Sequence, residues 1–158
     1  MRLALYQPDI PQNTGTMLRL AACMKVAVDL IEPCGFVLND KKLKRSGMDY
    51  LEQAELLRHS SWNAFIADRD QRTDKGRLIL LSTKAESSYT DFAFLPSDTL
   101  MVGRESAGVP EDVHSYADAR IIIPMAQGVR SLNVAVSAAM VLGEALRQTA
   151  GFPELKAL

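Results

Sequence analysis

The residues Leu100-Met101-Val102-Gly103-Arg104-Glu105 join a continuous apolar run to a turn that begins with glycine. Two other stretches have the same form: Leu78–Leu81 precedes Ser82, and Ile121–Ile123 precedes Pro124. Apolar runs without polar alternation are typical of buried parallel strands. The three runs end at residues 81, 102 and 123, which leaves room for crossover connections. The pattern predicts an α/β fold with a mainly parallel sheet, whose ligand site lies outside the carboxyl ends of the strands.

The rest of the chain supplies elements that fit around such a sheet. Leu3–Tyr6 is predicted to be a short buried strand, and a helix is predicted to begin near Asn13, which is a good N-cap. Arg19 lies about 200° around this helix from the apolar Met17, so we expect its side chain to point away from the core. The last long helix is predicted from about residue 132 to residue 149.

Length and composition indicate one globular domain over residues 1–158, without a linker between two domains. The hydrophobic share of 47% is large enough to build a core, which excludes a disordered chain. The longest apolar-rich run, residues 131–143, is broken by Glu144 before the roughly 20 residues that span a bilayer. The amino-terminal apolar stretch is too short for a secretory signal, so we expect a cytoplasmic protein.

The cysteines, histidines and charges restrict the chemistry further. Cys23, Cys34, His59 and His114 show no spacing that is typical of a metal site, so we expect reduced thiols and no metal. The formal net charge of -1 gives the chain no general attraction for nucleic acid, and any RNA contact must come from a local patch. The candidate RNA-binding patch comprises Lys41, Lys42, Lys44 and Arg45. A basic cluster of this kind is more often only a solvated surface.

Two loops beside predicted strands favour a ligand site, and each also has a purely structural explanation. The turn at residues 103–108 is followed by Val109-Pro110 instead of the Lys-Ser/Thr of a phosphate loop. Its glycines therefore serve either a close ligand or a tight turn. Ser131 or Asn133 can cap the last helix and leave amides free for a ligand, or act as a cap alone. Arg19, on a polar helix face beside a proline-rich loop, is well placed to bind phosphate.

Three groups of residues resemble the three ordered motifs of the SPOUT methyltransferases. The groups are Asn13-Thr14-Gly15 with Arg19, residues 103–110, and Ile123-Pro124-Met125 followed by Ser131-Leu132-Asn133. Within this superfamily the chain resembles the small, one-domain TrmL type of the SpoU branch, which lacks an RNA-binding extension, at residues 6–15, 31–36 and 40–50. That type methylates the ribose 2′-hydroxyl of the wobble cytidine or uridine in tRNA. The resemblance extends from Leu3 to Gln148.

The resemblance implies helices on both faces of the sheet, a deep carboxyl-terminal trefoil knot, a homodimer, and S-adenosylmethionine bound in the knot. It places six residues around the cofactor: Leu81, Gly103, Ile123, Met125, Ser131 and Leu132. Of these, Met125 and Leu132 line the pocket for the adenine. It places four residues around the reacting centre: Asn13, Arg19, Glu105 and Asn133. We assign Arg19 to binding a phosphate and orienting the hydroxyl, because an arginine that stays protonated is a poor base. In a dimer, Arg19 of one subunit can face the cofactor held by the other.

One departure from the wobble-acting type leaves alternatives open. After Asn133 the chain has Val134-Ala135-Val136-Ser137, whereas that type has Ser-Asn-Ala after the residue that follows the asparagine. One alternative is a 2′-O-methyltransferase for another tRNA ribose or an rRNA ribose. Another is a non-catalytic, RNA-binding knotted dimer, which the presence of all four polar motif residues argues against.

The last helix carries a stripe of small residues, which faces either a partner subunit or the local core: Ala135, Ala139 and Gly143.

Overall fold

The computed structural model of the protein describes residues 1–37 and 55–154. Within these ranges, seven strands form one sheet in which every neighbouring pair is parallel. The strands are β1 (Arg2–Tyr6), β2 (Ala27–Ile31), β3 (Leu56–His59), β4 (Leu78–Leu81), β5 (Ser87–Ser88), β6 (Thr99–Val102) and β7 (Ala119–Ile122), in the spatial order β3-β2-β1-β6-β4-β7-β5. The helices are α1 (Pro11–Met24), α2 (Trp62–Gln71), α3 (Glu111–Tyr116) and α4 (Val134–Gln148). None of these helices is long and apolar enough to cross a membrane.

The three apolar runs are confirmed as the strands β4, β6 and β7, and the mainly parallel sheet is confirmed with them. The strand β7 ends at Ile122, one residue before the predicted end. In the register of the sheet, Leu81 lies opposite Val102 on one side and Ile121 on the other. The three strands therefore end at the same edge, and the loops that follow them meet there.

Helices cover both faces of the sheet. The helices α1 and α4 contact each other and pack on the face that carries Leu100 and Val102. On the opposite face, Phe65 of α2 and Val113 of α3 pack in one cluster with Met101. Successive side chains of a strand point to opposite faces, so each central strand contributes to both cores. This double burial explains why these strands lack polar alternation.

The prediction that Asn13 caps the first helix is wrong. The helix α1 begins at Pro11, and Ile10 occupies the N-cap position without a side-chain hydrogen bond. Proline suits the first turn because its φ is already helical and its missing N–H would have no partner there. Asn13 thus lies inside the first turn, and its side-chain amide can contact other segments of the chain. Asn133, in contrast, does cap α4, because its Oδ1 accepts hydrogen bonds from two backbone N–H groups at 2.9 and 3.3 Å.

A buried ion network ties β2 to its neighbours. The carboxylate of Asp29 is fully buried and accepts hydrogen bonds from three side chains: Arg72 (2.6 Å), Arg2 (2.8 Å) and His59 (2.9 Å). Burial alone raises the pKa of Asp29, but these hydrogen bonds outweigh it and hold the pKa at about 2. Asp29, His59 and Asp68 also bring metal-ligand atoms within 4.8 Å of one another. Since guanidinium groups already occupy both Asp29 oxygens, this cluster is an ion-pair network.

Candidate functional site

A cleft of about 580 Å³ opens at the carboxyl edge of the sheet. The loops that follow β4, β6 and β7 form it, together with the beginnings of α1 and α4. Its lining comprises residues 80–84, 102–109, 122–123 and 130–134, with Ile10, Asn13, Glu111, His114, Met125 and Ser137. The cleft therefore lies where parallel sheets bind ligands, as the strand pattern predicts.

The cleft extends over both faces of the sheet edge. Leu81 belongs to the core under α1 and α4, whereas its neighbour Leu80 belongs to the core under α2 and α3. Asn13 of α1 and Ser137 of α4 approach the cleft from the first face, and His114 of α3 approaches it from the second. The cleft thus borders helices from opposite sides of the sheet.

The loop after β6 is a tight turn that closes on itself. Arg104 and Gly108 exchange backbone hydrogen bonds of 2.9 and 2.8 Å. A Cβ at Gly103 would lie only 2.7 Å from the carbonyl carbon of Gly108, so the turn closes only with glycine at position 103. Gly108 has a φ of +66°, a conformation that favours glycine. Of the two explanations for these glycines, the tight turn is the one that the geometry supports directly.

Asp9 attaches this turn to the loop after β1. Its Oδ1 accepts a hydrogen bond from Nη2 of Arg104 at 2.8 Å. Its Oδ2 accepts hydrogen bonds from the backbone N–H of Ser106, at 3.2 Å, and from the Ser106 hydroxyl. These hydrogen bonds, the one from Arg104 foremost, lower the pKa of Asp9 to about 2. A charged carboxylate therefore fixes the position of the turn at neutral pH.

Three side chains form a continuous line of hydrogen bonds, which we call the polar bridge (Asn133, Asn13 and Glu105). Asn133 Nδ2 donates to Asn13 Oδ1 at 2.9 Å, and Asn13 Nδ2 donates to Glu105 Oε1 at 3.2 Å. The second Glu105 oxygen accepts the backbone N–H of Asp9 at 2.7 Å. Because the cap of α4 occupies the oxygen of Asn133, its Nδ2 faces Asn13, and each amide has one orientation. The polar bridge thus joins α4, α1 and the loop after β6 around the cleft.

The structure brings most of the predicted site residues together. All six residues predicted around the cofactor line the cleft, and so do the three residues of the polar bridge. Arg19 is exposed on α1, as predicted, and is not among the described residues that line the cleft. It follows Asn13 by about 240° around the helix, so the two side chains leave α1 on different sides. The predicted RNA-binding patch, Lys41, Lys42, Lys44 and Arg45, lies outside the described residues.

Several residues of the cleft, and Asp9, which contacts Arg104 of the cleft, were not predicted as site residues. Lys84 and Arg104 lie in loops directly after predicted strands. This position was the only signal for Lys84, whereas Arg104 also belongs to the motif at residues 103–110. Asp9 follows β1 in the same way, but nothing in the sequence connects it with Arg104. His114 had no signal, because the short helix α3 that carries it was not predicted. Arg130 lies beside the predicted Ser131 and, with Lys84 and Arg104, is the third positively charged residue among the described residues of the cleft.

The fold and the cleft define the class: an α/β protein whose parallel sheet carries, on its carboxyl-end loops, a cleft of the size that small-molecule sites have. The chain belongs to the SpoU rRNA Methylase family, whose model matches residues 1–143. A curated relative from Beijerinckia indica subsp. indica is 63% identical over 147 residues, which are 92% of this chain and 90% of the relative. That relative is named tRNA (cytidine(34)-2'-O)-methyltransferase. The family inferred from the three motifs is therefore confirmed.

Solved structures agree with this family. One, from work on the 2-OH methylation of C/U34 on tRNA, is 40% identical with a TM-score of 0.86, over 95% of this chain and 96% of that chain. Another is the SpoU methyltransferase AviRb from Streptomyces viridochromogenes in complex with the cofactor AdoMet. It is 25% identical with a TM-score of 0.81, over 94% of this chain and 60% of that chain. Methyltransferases of known structure thus share the sheet that forms the cleft described here.

Proposed function

We propose that this protein transfers a methyl group from S-adenosylmethionine to the ribose 2′-hydroxyl of nucleotide 34, the wobble cytidine or uridine, in tRNA. The main support is that three motifs far apart in the chain meet at one cleft, where the polar bridge joins them. The names given to the relative that is 63% identical and to the solved structure that is 40% identical support the same reaction. The protein acts as one domain over residues 1–158, in the cytoplasm, where its tRNA substrate is found.

The residues of the cleft suit S-adenosylmethionine. Leu81, Ile123, Met125 and Leu132 supply apolar side chains for the nucleoside, and the loops at Gly103 and Ser131 supply backbone polar groups. The cofactor brings an activated methyl group on a sulfonium, so the protein's task is mainly to place the 2′-oxygen in line with it. The bond from the methyl carbon to sulfur breaks as the bond to the 2′-oxygen forms. The hydroxyl proton passes to solvent.

The polar bridge supplies the geometry for this transfer. Asn13 occupies its centre, with both ends of its amide held, and orients the ribose beside the cofactor. Glu105 and Asn133 act as positioning residues, because each holds a loop or a helix end against Asn13. Arg19 binds a phosphate of the tRNA and orients the attacking hydroxyl.

The active protein is a homodimer in which Arg19 of one protomer completes the cleft of the other. Arg19 lies outside the cleft of its own protomer. The helix α4, which contacts α1, carries an exposed apolar face with Val136 and Met140 at 50% and 39% exposure. The residues of the small stripe do not all face the same way. Ala135 is buried in the local core, whereas Ala139 is exposed on the outer side of the helix. That outer face is suited to a second copy of the chain. We also propose the deep carboxyl-terminal trefoil knot, which membership of the SpoU family supports.

The tRNA approaches over positive charge near the cleft. Lys84 and Arg130 line the cleft, and we assign the remaining contacts to Lys41, Lys42, Lys44 and Arg45. A local patch of this kind attracts phosphates although the net charge of the chain is -1.

The departure from the wobble-acting pattern after Asn133 does not weaken the proposal. Positions 135 and 136 contact Asn133 through their backbone N–H groups, which any non-proline residue provides. The side chain of Ala135 is buried in the core, and that of Val136 is half exposed. The cap and the polar bridge therefore form equally well with these residues.

The proposal is tested by the transfer of labelled methyl from S-adenosylmethionine to total tRNA and, separately, to rRNA, followed by nucleoside mapping. We expect 2′-O-methylated cytidine or uridine at position 34 of tRNA. Methylation of another ribose would show that the target nucleotide is a different one, while the reaction would remain 2′-O-methylation. The tRNA for this test comes from a strain that lacks this enzyme and carries its other modifications. The absence of transfer to either RNA would leave the non-catalytic dimer as the better explanation.

Replacing Gly103 by alanine is expected to weaken the binding of S-adenosylhomocysteine by at least about tenfold, because the turn after β6 must open by several tenths of an ångström to accept a Cβ. Isothermal titration calorimetry measures the effect. The matched control is Gly143→Ala, since a Cβ at Gly143 meets nothing within 4 Å in the protomer. Because Gly143 belongs to the stripe of small residues on α4, sedimentation equilibrium first establishes that this variant has the same oligomeric state as the wild type. Equal affinities of Gly103→Ala and the wild type would show that the turn does not shape the cofactor site.

A further inference from the structure

We infer that His114 hydrogen-bonds the adenine base of the bound cofactor through its imidazole Nε2. The inference rests on the proposed function, because it takes the ligand of the cleft to be S-adenosylmethionine. None of the three motifs contains His114, and the chemistry described above does not use it.

The first observation is an unsatisfied polar atom. Among the described residues, three buried side-chain atoms lack a hydrogen-bond partner: Arg69 Nε, Thr99 Oγ1 and His114 Nε2. Of these residues, only His114 lines the cleft. Buried polar atoms in native proteins are nearly always paired, because an unpaired one loses its water without compensation. A ligand in the cleft is the partner that the position of His114 allows.

The second observation is that the backbone of His114 is held firmly. Its N–H donates to the Pro110 carbonyl at 2.9 Å, and its carbonyl accepts a hydrogen bond from Arg120 Nε at 2.8 Å. The adjacent Val113 anchors α3 in the core. The χ2 torsion of histidine is broad, so the ring can turn and present Nε2 to a ligand while the helix stays in place.

The position of His114 selects the adenine among the parts of the cofactor. The polar bridge, where the methyl group is transferred, lies on the side of α1 and α4, whereas His114 reaches the cleft from the opposite face of the sheet. Leu80 and Val109 line the cleft and pack with the core of that second face. They add apolar surface to that which Met125 and Leu132 offer to the adenine. Glu111 lines the cleft from the same helix as His114 and disfavours the carboxylate of the cofactor. Adenine has both donors and acceptors on its rim, and an imidazole nitrogen can serve as either partner.

The test compares His114→Leu and His114→Phe, which remove the nitrogen, with His114→Gln, which retains a polar group. Calorimetry measures the affinity for two ligands, S-adenosylhomocysteine and 5′-methylthioadenosine, of which the second lacks the amino-acid part. We expect the two apolar variants to lose about tenfold in affinity for both ligands, and His114→Gln to lose less. Tyr116→Phe is the matched control on the same helix, because Tyr116 packs on Trp62 and is not among the residues that line the cleft.

Thermal unfolding without ligand separates binding from folding. Removal of an unpaired buried nitrogen is expected to leave Tm unchanged or higher in the apolar variants, while their affinity falls. Loss of affinity for S-adenosylhomocysteine alone would place the contact on the amino-acid part and overturn the assignment to adenine. Unchanged affinity for both ligands in either apolar variant would overturn the role of His114. If the wild type itself binds neither ligand, the proposed function fails, and the inference fails with it.

Discussion

Replacing Arg19 by alanine is expected to lower the rate of methyl transfer to tRNA by about a hundredfold or more, while the affinity for S-adenosylhomocysteine stays at the wild-type value. The side chain is exposed on α1 and lies outside the cleft of its own protomer, so its loss removes no cofactor contact there. It does remove the group that we assign to the tRNA phosphate and the attacking hydroxyl. Single-turnover transfer of labelled methyl and calorimetry measure the two quantities on the same preparations.

The matched control for Arg19→Ala is Lys75→Ala, which removes an exposed positive charge at the opposite edge of the sheet. Lys75 pairs with Asp70 at 2.6 Å and precedes the amino end of β4. We expect this variant to transfer methyl at the wild-type rate. A collapse of cofactor affinity in Arg19→Ala would contradict the division between a cofactor site and a separate Arg19.

Mixed dimers test whether Arg19 acts across the interface. Arg19→Ala has an intact cleft, and Gly103→Ala has an intact Arg19, so a dimer with one copy of each contains one complete site. The assay uses a concentration of S-adenosylmethionine well below the dissociation constant of the Gly103→Ala cleft, so that each variant alone has little activity. Equal amounts that exchange at random should then recover about a quarter of the activity of the wild type. Sedimentation equilibrium first establishes that the protein is a dimer at the assay concentration. Failure of the mixture to exceed the two separate variants would show that Arg19 acts within its own protomer.

Replacing Asp29 by asparagine is expected to lower the free energy of unfolding by about 3–5 kcal/mol. The change removes the one carboxylate that Arg2, Arg72 and His59 share in the interior. It leaves the two guanidinium groups only the more exposed carboxylates of Glu55 and Asp68 as partners. Urea unfolding followed by circular dichroism measures the difference. The matched control is Asp70→Asn, which breaks an exposed ion pair with Lys75. Exposed pairs contribute only about 0–1 kcal/mol, so comparable effects of the two variants would contradict the proposed importance of the buried network.

Acid unfolding tests the same network through its charge. The pKa of Asp29 is about 2 in the folded protein, below the ordinary value of 3.8, so the folded state binds this proton less readily than the unfolded chain. The stabilisation is therefore complete above about pH 4 and is lost as the pH falls from about 4 to about 2. Asp29→Asn lacks this contribution, and its stability should fall less steeply with pH than that of the wild type. Asp9 and Glu144, whose pKa values are also about 2, contribute equally to both proteins.

The sequence predicted those features of the fold that depend on burial and on strand order. The apolar runs at β4, β6 and β7 were visible because both faces of these strands are covered. The short strand β5, with only Ser87 and Ser88, has no apolar signal. The start of α1 was misplaced because Asn13 has the chemistry of a cap, whereas Pro11 already begins the helix. The local preference of an asparagine favours the N-cap position, whereas tertiary contacts can favour another position. Asn13 lies inside the first turn, where its side chain hydrogen-bonds Glu105 and Asn133.

The residues that line the cleft were largely predictable where they belong to contiguous motifs, whereas Arg19 belongs to a motif and lies outside the cleft. The spacing of a motif identifies Gly103, Ser131 and Asn133, but it does not show that Asn13 lies between Asn133 and Glu105. That arrangement depends on how α1 and α4 pack, which no local pattern encodes. Asp9 and His114 were missed for the same reason, since each acquires its role only when a distant segment arrives beside it.

The place of β1 at the centre of the sheet has a consequence for how the protein folds. Residue 2 pairs with residue 27 on one side and with residue 99 on the other, so β1 receives its second partner only after residues 28–98 have also been synthesised. Until then, one edge of β1 has free backbone N–H and C=O groups, which are a template for pairing with other chains. We therefore expect slow folding, as in other proteins with many long-range pairings, and aggregation of nascent chains that end before β6.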